Sequence, residues 1–209
     1  MFTGIVSDLG TIRSVESRGD TRVVIGTAYD PATIDLGASI ACSGVCLTVV
    51  DKGCDHDGDW FAVDVSGETV SRTADGQWTE GRALNLERAM KLGDELGGHI
   101  VTGHVDGVGH VTEVTPEGDS KRIAIRVPAA IGPYLATKGS VTIDGVSLTV
   151  NSVTDDMADG ADGTVFGINV IPHTQAVTTI GTLTPGARVN IEIDVLARYL
   201  QRMEQYRAR

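Results

Sequence analysis

The chain of 209 residues contains the same sequence pattern twice. SGVCLTV at residues 43–49 returns as DGVSLTV at residues 144–150. TGIVSDLGTIRSVES, from Thr3, matches TGHVDGVGHVTEVTP, from Thr102, at five of fifteen positions. A third pair is formed by residues 61–90 and 166–195, which keep Phe, Val, Thr, Gly, Asn and Glu in order. Matches in this order and spacing indicate an internal duplication, which constrains the fold more than any other feature.

The two copies meet near Leu96–Ile100. We therefore expect a first domain at 1–97, a second at 98–194 and a C-terminal helix at 195–209. The offset between the copies grows along the chain, as expected when short insertions fall in loops. TDDMADGADGT, residues 154–164, is such an insertion, and its polar, glycine-rich composition predicts a hairpin tip.

Short β-rich runs alternate with turn signals in each copy. They are VVIGTA, SIACSGVCLTVV and WFAVDVS in the first half, and RIAIRVPA, SVTIDGVSLTV and TVFGINVI in the second. Such runs predict an all-β sandwich or barrel rather than βαβ units, and closing a barrel removes exposed strand edges. Short helices are expected at ETVSRTAD, ERAMKLGD and around PAAIGPYLATKG.

The tail has a different periodicity. Val195, Leu196, Tyr199, Leu200, Met203 and Tyr206 follow the spacing of an amphipathic helix. Its apolar stripe must be buried, either on the chain's own barrel or in an oligomer interface, and the sequence leaves both open.

Composition excludes several classes of function. The formal charge of −11 disfavours nucleic-acid binding, which needs a basic face. No run approaches the roughly 18 to 20 apolar residues of a membrane span, and MFTGIVSDLG is not a signal peptide, so a cytoplasmic location is expected.

Three cysteines are too few for a disulfide framework, and reduced thiols are expected. Cys42 and Cys46 are placed on one strand, too far apart to bridge. A zinc site from Cys42, Cys46, Cys54 and His56 is a weaker alternative, since no Cys-x-x-Cys pair exists.

Several motifs together resemble the riboflavin synthase family. They are MFTGIV, the GG-H-x-x-TGHV junction, the paired GV[CS]LTV phrases, ATKG before IDG, and VNIEID. The resemblance covers essentially the whole chain. It implies two homologous six-stranded Greek-key barrels, each binding one lumazine, and a C-terminal helix that assembles a homotrimer. The implied reaction is the dismutation of two 6,7-dimethyl-8-ribityllumazine molecules between the barrels of different subunits, with no cofactor and no metal. Lumazine synthase is a candidate partner.

The resemblance also implies a set of substrate-binding residues, in two matching groups. In the first half they are Gly4, Ile5, Val6, Ser39, Cys46, Leu47, Thr48, Asp64, Val65, Ser66, Gly67, Glu68 and Thr69. In the second half they are Gly103, His104, Val105, Lys138, Ser147, Leu148, Thr149, Asn169, Val170, Ile171, Pro172, His173 and Thr174. Backbone groups at strand edges would bind the pyrimidinedione, and hydroxyls and carboxylates the ribityl chain. His173 departs from the family, which commonly has a glutamate there.

Residues that differ between the copies are the candidate catalytic groups, because donor and acceptor need different chemistry. Cys46 pairs with Ser147, Ile5 with His104, Ser43 with Asp144, and Gly37 with Lys138. We assign His104 and Ser147 to proton transfer or activation of water, and Cys46 to a polar contact or a nucleophile. Asp144 and Lys138 would set the electrostatics of the second site. Phe2 would be an apolar lid at the subunit interface.

Structural roles compete with these assignments. Cys46 alone reads as a buried thiol, and His99, His104 and His110 as weak metal candidates. Asp144-Gly145 predicts a hairpin turn, Lys138-Gly139 a helix C-cap, and Glu87 and Glu192 strand-end residues. The competing functions are a non-catalytic lumazine- or flavin-binding protein, and a flavin reductase domain, which would need a further α/β domain.

Overall fold

The computed structural model describes residues 1–156 and 163–208, which form two closed antiparallel barrels and three helices. The first barrel contains β1 (Asp8–Arg18), β2 (Asp20–Gly26), β3 (Ser39–Cys42), β4 (Val45–Asp55), β5 (Gly58–Val65) and β6 (Ala83–Arg88). The second contains β7 (Gly107–Glu117), β8 (Ser120–Pro128), β9 (Ser140–Ile143), β10 (Val146–Asp156), β11 (Gly163–Val170) and β12 (Arg188–Ile193).

The strand order is the same in both barrels. It runs β1-β2-β5-β4-β3-β6 in the first and β7-β8-β11-β10-β9-β12 in the second, each closed on itself. The meander β3-β4-β5 has β2 beside β5, which is the Greek-key arrangement. This confirms the expected all-β fold of two homologous six-stranded Greek-key barrels.

Each barrel encloses its own apolar core. Phe61 and Phe166 occupy equivalent positions in the two copies, and both are fully buried. They lie on β5 and β11, strands in which β-branched and aromatic residues fill the inward positions. The repeated bulge after Val49 and after Val150 bends equivalent strands in the same place. The duplication in sequence is therefore a duplication in packing.

Two type I′-like hairpin turns meet between the barrels. Ser43-Gly44 and Asp144-Gly145 all have positive φ, from 45° to 82°. A Cβ on Gly44 would lie 2.8 Å from the Gly145 nitrogen, and one on Gly145 would lie 2.7 Å from the Gly44 nitrogen. The hairpin prediction for Asp144-Gly145 is confirmed, and glycine is needed because the turns touch backbone to backbone.

Two asparagines at equivalent positions link the barrels around these turns. Asn190 Nδ2 donates to Ser43 O at 2.8 Å, and its Oδ1 accepts from the Ala74 amide at 2.8 Å. Asn85 Nδ2 donates to Asp144 O at 2.8 Å, and its Oδ1 accepts from the Thr179 amide at 2.8 Å. Each asparagine thus bonds the backbone of the other barrel, which relates the two barrels by approximate twofold symmetry.

Short helices follow the sequence predictions only in part. The helix α1 (Gly67–Arg72) forms within the predicted ETVSRTAD region, and a 3₁₀ turn at Gly132–Tyr134 lies within PAAIGPYLATKG. The prediction of a helix at ERAMKLGD is wrong, since β6 continues through Arg88. The predicted hairpin tip lies mostly outside the described residues. The remaining helices are α2 (Pro172–Val177) and α3 (Val195–Arg207).

The apolar stripe of α3 is exposed in the single chain. Leu196, Tyr199, Leu200, Met203 and Tyr206 are each more than half exposed. Of the two alternatives for burying this stripe, the one in which it packs on the chain's own barrel is therefore wrong. None of the helices in the described part of the chain combines the length and apolarity needed to cross a bilayer.

Candidate active site

The two copies of the TG[IH]V segment lie between the barrels, and their contacts are crossed. The Ser147 amide, on β10 of the second barrel, donates to Gly4 O at 2.8 Å. The Cys46 amide, on β4 of the first barrel, donates to Gly103 O at 2.8 Å. A Cβ on Gly4 would lie 2.5 Å from Ser147 Cβ, and one on Gly103 would lie 2.6 Å from Cys46 Cβ. Both glycines are therefore required for the close approach.

The valines that follow obey the same exchange. Val6 packs on the core of the second barrel, and Val105 packs on the core of the first. The sequence prediction paired each segment with the ligand site of its own barrel. The structure instead packs each segment on the other barrel, so that His104 belongs to the segment beside Cys46.

Two buried glutamates anchor these segments. Glu87, on β6, accepts hydrogen bonds from the amides of Thr3 at 2.7 Å and Gly4 at 2.9 Å. Glu192, on β12, accepts from the amides of Thr102 at 2.7 Å and Gly103 at 2.9 Å. Burial raises the pKa of Glu87, and the hydrogen bonds from Thr3 and Gly4 oppose that rise. The side chains of Glu87 and Glu192 therefore hold the two TG[IH]V segments in place, which is more than the structural role at a strand end that the sequence predicted.

Cys46 and Ser147 have different surroundings although they occupy equivalent positions. Cys46 packs at the edge of an apolar cluster of Phe2, Ala41 and Val101. Phe2 is fully buried within the single chain, which differs from the predicted lid at a subunit interface. Ser147 Oγ instead shares a 2.7 Å hydrogen bond with His99 Nδ1.

Asp144 is buried at the junction between the barrels. Its Oδ1 accepts from the Asn190 amide at 2.7 Å, just as Ser43 Oγ accepts from the Asn85 amide at 3.1 Å. Burial raises the pKa of Asp144 to about 7, against the hydrogen bond from Asn190 and the charge of Arg82. A buried carboxylic acid at this point forms part of the contact between barrels.

Lys138 occupies a turn that forces a left-handed backbone. Its φ is 68°, and that of its counterpart Gly37 is 85°. The Lys138 amide donates to Val150 O at 2.7 Å, as Gly37 donates to Val49 O at 2.8 Å. The preceding 3₁₀ turn ends at Tyr134 and Leu135 is its C-cap, so the helix C-cap predicted for Lys138-Gly139 is wrong. A lysine here costs about 1 to 2 kcal/mol relative to a residue without Cβ.

The segments DVSGET and NVIPHT lead from β5 into α1 and from β11 into α2. Ser66 caps α1 by accepting from the Thr69 amide, whereas α2 begins with Pro172 and has no side-chain cap. Asn169 Oδ1 is buried and has no hydrogen-bond partner among the described residues, while its Nδ2 donates to Glu117. An unpaired buried acceptor is costly in the free protein and is available to a ligand donor.

The remaining predicted residues include a matched pair of strand positions: Ser39 pairs with Thr48 in the first barrel, and Ser140 pairs with Thr149 in the second. The others are described by whether their side chains are exposed or buried. The exposed side chains are those of Ile5, Thr48, Asp64, Glu68, His104, Lys138, Thr149, Ile171, Pro172 and His173. The side chains of Leu47, Val65 and Val170 are buried in the barrel cores, so they support the strands and do not face the open surface. The exposed groups form an open surface in the single chain.

A zinc site from the cysteines does not form. Cys42 and Cys46 lie on opposite sides of a hairpin turn rather than on one strand, which corrects the sequence prediction. Cys54 is eight residues beyond Cys46 on β4, about 26 Å along an extended strand. All three are free thiols, and burial raises the pKa of Cys42.

Sequence reasoning missed the contact between His99 and Ser147. His99 Nε2 is also 3.1 Å from Thr142 Oγ1, within hydrogen-bonding distance. The signal available in sequence was the exchange of Ala41 for Thr142, which falls beside the exchange of Cys46 for Ser147.

Comparisons with known proteins match this duplicated architecture. The lumazine-binding domain family matches the chain twice, at residues 3–89 and 102–194. The riboflavin synthase of Brucella abortus is 48% identical over 99% of both chains. That of Photobacterium phosphoreum is 46% identical over 97% of this chain and 88% of its own.

Solved structures give the same fold. The crystal structure of LumP complexed with riboflavin superposes with a TM-score of 0.77 at 26% identity, over 92% of this chain and 99% of LumP. The complex of LumP with 6,7-dimethyl-8-(1'-D-ribityl) lumazine gives 0.75 at 25% identity, over the same shares of the two chains. Fold and site thus define a protein of two lumazine-binding domains. Because identity to riboflavin synthases extends over the full length, the chain belongs to the riboflavin synthase family.

Proposed function

We propose that the protein is a transferase that dismutates two molecules of 6,7-dimethyl-8-ribityllumazine. A four-carbon unit passes from one molecule to the other, which gives riboflavin and 5-amino-6-(D-ribitylamino)uracil. The observation that carries the proposal is a duplicated site whose two copies differ at reactive positions, Cys46 against Ser147. Two copies of one fold suit two copies of one substrate, and the differences suit a donor and an acceptor.

Alignment of the two rings supplies most of the rate in this proposal. Holding two reactants in register gives effective molarities on the order of 10⁵ to 10⁸ M, whereas one acid or base adds roughly 10² to 10⁴. The segments carrying Gly4 and Gly103 are fixed at both ends, on a glutamate of one barrel and a strand amide of the other. Such rigid backbone suits the binding of a flat heterocycle.

The substrate contacts remain those inferred from the family. Asn169 supports them, because its buried Oδ1 has no partner within residues 1–156 and 163–208 and would accept from the lumazine. Exposed Thr48 and Thr149, one on each barrel, offer hydroxyls to the ribityl chains. His104 and Ser147 are the proposed groups for moving the methyl proton, and Cys46 the contact or nucleophile.

We further propose that the active unit is a homotrimer in the cytoplasm. The exposed stripe of α3 supports assembly, since five large apolar side chains on one helix need a partner surface. The open surface formed by the predicted site residues supports a site that a second subunit completes. Lumazine synthase is the proposed partner because it would supply the substrate.

A turnover assay tests the reaction directly. Lumazine alone should yield riboflavin, detected by its absorbance and fluorescence, with no added cofactor. The second candidate is a non-catalytic binder, which the TM-score of 0.77 to LumP with riboflavin favours. Tight binding of riboflavin without any turnover would establish the binder and refute the enzyme.

A further inference from the structure

The second barrel contains a hydrogen-bonded chain of three side chains at the edge of the candidate active site. His99 Nδ1 lies 2.7 Å from Ser147 Oγ, and His99 Nε2 lies 3.1 Å from Thr142 Oγ1. Thr142 is on β9 and Ser147 is on β10, and both are held in register by the sheet. The imidazole therefore connects a buried hydroxyl on one strand to a half-buried hydroxyl on the next.

The backbone around His99 is built to hold the ring in this position. The His99 amide donates to Thr3 O at 3.1 Å. A Cβ on Gly98 would lie 2.1 Å from Thr3 O and 2.9 Å from Ser147 Oγ, so only glycine permits the approach. The segment carrying Gly4 closes the same space, since Gly4 O accepts from the Ser147 amide.

The first barrel, whose residues are all described, has no such chain. Ala41 stands where Thr142 stands in the second barrel, and Cys46 stands where Ser147 stands. Ala41 and Cys46 pack with Phe2 in an apolar cluster. A ring at the equivalent place would meet a methyl group and a thiol, so the difference between the two sites involves a whole hydrogen-bonded unit.

The charge state of His99 suits a neutral link between two hydroxyls. Burial lowers the pKa of His99, while the nearby carboxylates of Asp194 and Glu192 oppose that change. Glu192 already accepts bonds from the amides of Thr102 and Gly103. A neutral imidazole donates one hydrogen bond and accepts the other, which matches two hydroxyl partners.

We propose that His99 is a positioning residue that orients the Ser147 hydroxyl toward the lumazine of the second barrel, with Thr142 fixing the ring. This inference rests on the proposed function and specifies how the two sites become inequivalent. His99 acts through Ser147 and need not touch the substrate. The hydroxyl of Ser147 is thereby held in one orientation for hydrogen bonding to the reacting molecule.

The experiment compares His99→Ala, His99→Asn, Ser147→Ala and the double variant His99→Ala/Ser147→Ala in the full chain. His99→Ala should lower kcat by roughly 10- to 100-fold, within the range for a group aligning a reacting hydroxyl, with KM changed less than about threefold. The double variant should be no slower than Ser147→Ala by more than about twofold, because the two side chains act as one unit.

The asparagine variant separates orientation from structural damage. Its amide can replace the hydrogen bond between His99 Nδ1 and Ser147 Oγ, so it should recover most of the kcat lost in His99→Ala. His110 is an exposed histidine on β7, so His110→Ala is the matched control and should retain wild-type kcat. The proposal is overturned if His99→Ala keeps kcat within twofold of wild type. Multiplied losses in the double variant, or no recovery in folded His99→Asn, would overturn it equally.

Nuclear magnetic resonance tests the hydrogen bond without turnover. The ¹⁵N shift of His99 Nδ1 should change in Ser147→Ala, and that of His110 should not. An unchanged His99 shift contradicts the inference even if the enzyme is active. A different outcome separates the two proposals. If the wild-type protein makes no riboflavin, but the ¹⁵N shift of His99 Nδ1 still changes in Ser147→Ala, the proposed function is refuted and the hydrogen bond between Ser147 and His99 is established.

Discussion

Replacing Asp144 with serine should stabilise the protein above neutral pH. Asp144 is 5% exposed, and its Oδ1 accepts from the Asn190 amide at 2.7 Å. Ser43 makes the equivalent bond to the Asn85 amide at 3.1 Å with a neutral hydroxyl. The substitution Asp144→Ser therefore places in the second barrel the same hydroxyl acceptor that Ser43 provides in the first, and it removes a buried ionisable group.

The size of the effect follows from the pKa. Burial raises the pKa of Asp144 from its usual 3.8 to about 7. That rise corresponds to roughly 4 kcal/mol of unfavourable free energy once both folded and unfolded states are ionised. Since the folded pKa is raised, this carboxyl imposes no cost below pH 3.8 and costs stability increasingly as pH rises toward 7. Between pH 5 and pH 8 the loss is about 2 to 3 kcal/mol.

Urea unfolding at several pH values checks the prediction. The free energy of unfolding of Asp144→Ser should exceed that of wild type at pH 8, and the advantage should shrink by about 2 to 3 kcal/mol at pH 5. Ser43→Asp is the matched reverse variant and should lose stability as pH rises. An advantage of Asp144→Ser that is the same at both pH values would refute a buried carboxyl with a raised pKa.

Four further changes test other parts of the structure. Lys138→Gly relieves about 1 to 2 kcal/mol of backbone strain at a φ of 68°, but glycine gives the unfolded chain extra entropy that offsets about 0.5 to 1 kcal/mol of this gain. The free energy of unfolding should therefore rise by about 0.5 to 1 kcal/mol while turnover falls, and equal stability in urea would contradict this. Asn190→Ala, which removes bonds into the other barrel, should lower the free energy of unfolding by about 2 to 4 kcal/mol, and a loss below 1 would refute the linking role. Glu192→Gln places an amide NH₂ against backbone donors, so hydrogen exchange at 102–104 should quicken while exchange in the core of the first barrel stays unchanged. Deletion of 196–209 should give monomers that still bind riboflavin but scarcely turn over; full activity in a monomer confirmed by light scattering would exclude an intersubunit site.

The duplication predicted part of the fold. The paired phrases around Cys46 and Ser147 predicted equivalent hairpins, and the short β-rich runs predicted two all-β domains, sandwiches or barrels. The six strands and the Greek-key order were implied only by the resemblance to the riboflavin synthase family. What the repeat could not reveal is which barrel each TG[IH]V segment contacts. Two equivalent segments in two equivalent environments satisfy the same sequence pattern whether they pack on their own barrel or exchange, and only the long-range contacts decide.

The errors have local causes. ERAMKLGD has the composition of a helix, but Glu87 is needed at the end of β6 to bind the Thr3 and Gly4 amides, and this tertiary contact overrides local propensity. Cys42 and Cys46 were placed on one strand although Ser43-Gly44 between them forms a turn. His99 lies in the segment joining the copies, so the only signal from comparing the copies was indirect, the exchange of Ala41 for Thr142 next to that of Cys46 for Ser147.

The crossed packing of the two TG[IH]V segments is consistent with an origin of this chain by fusion of two half-length chains. Each half supplies the strip of backbone that completes the other, through Gly4 on Ser147 and Gly103 on Cys46. The reciprocal pairing of Phe2 with Val101 lies between them. Two identical half-length chains would make the same reciprocal exchange as a symmetric homodimer, with both interfaces formed by one patch. Fusion of two such genes would preserve every contact and free each copy to diverge, as Cys46 and Ser147 have.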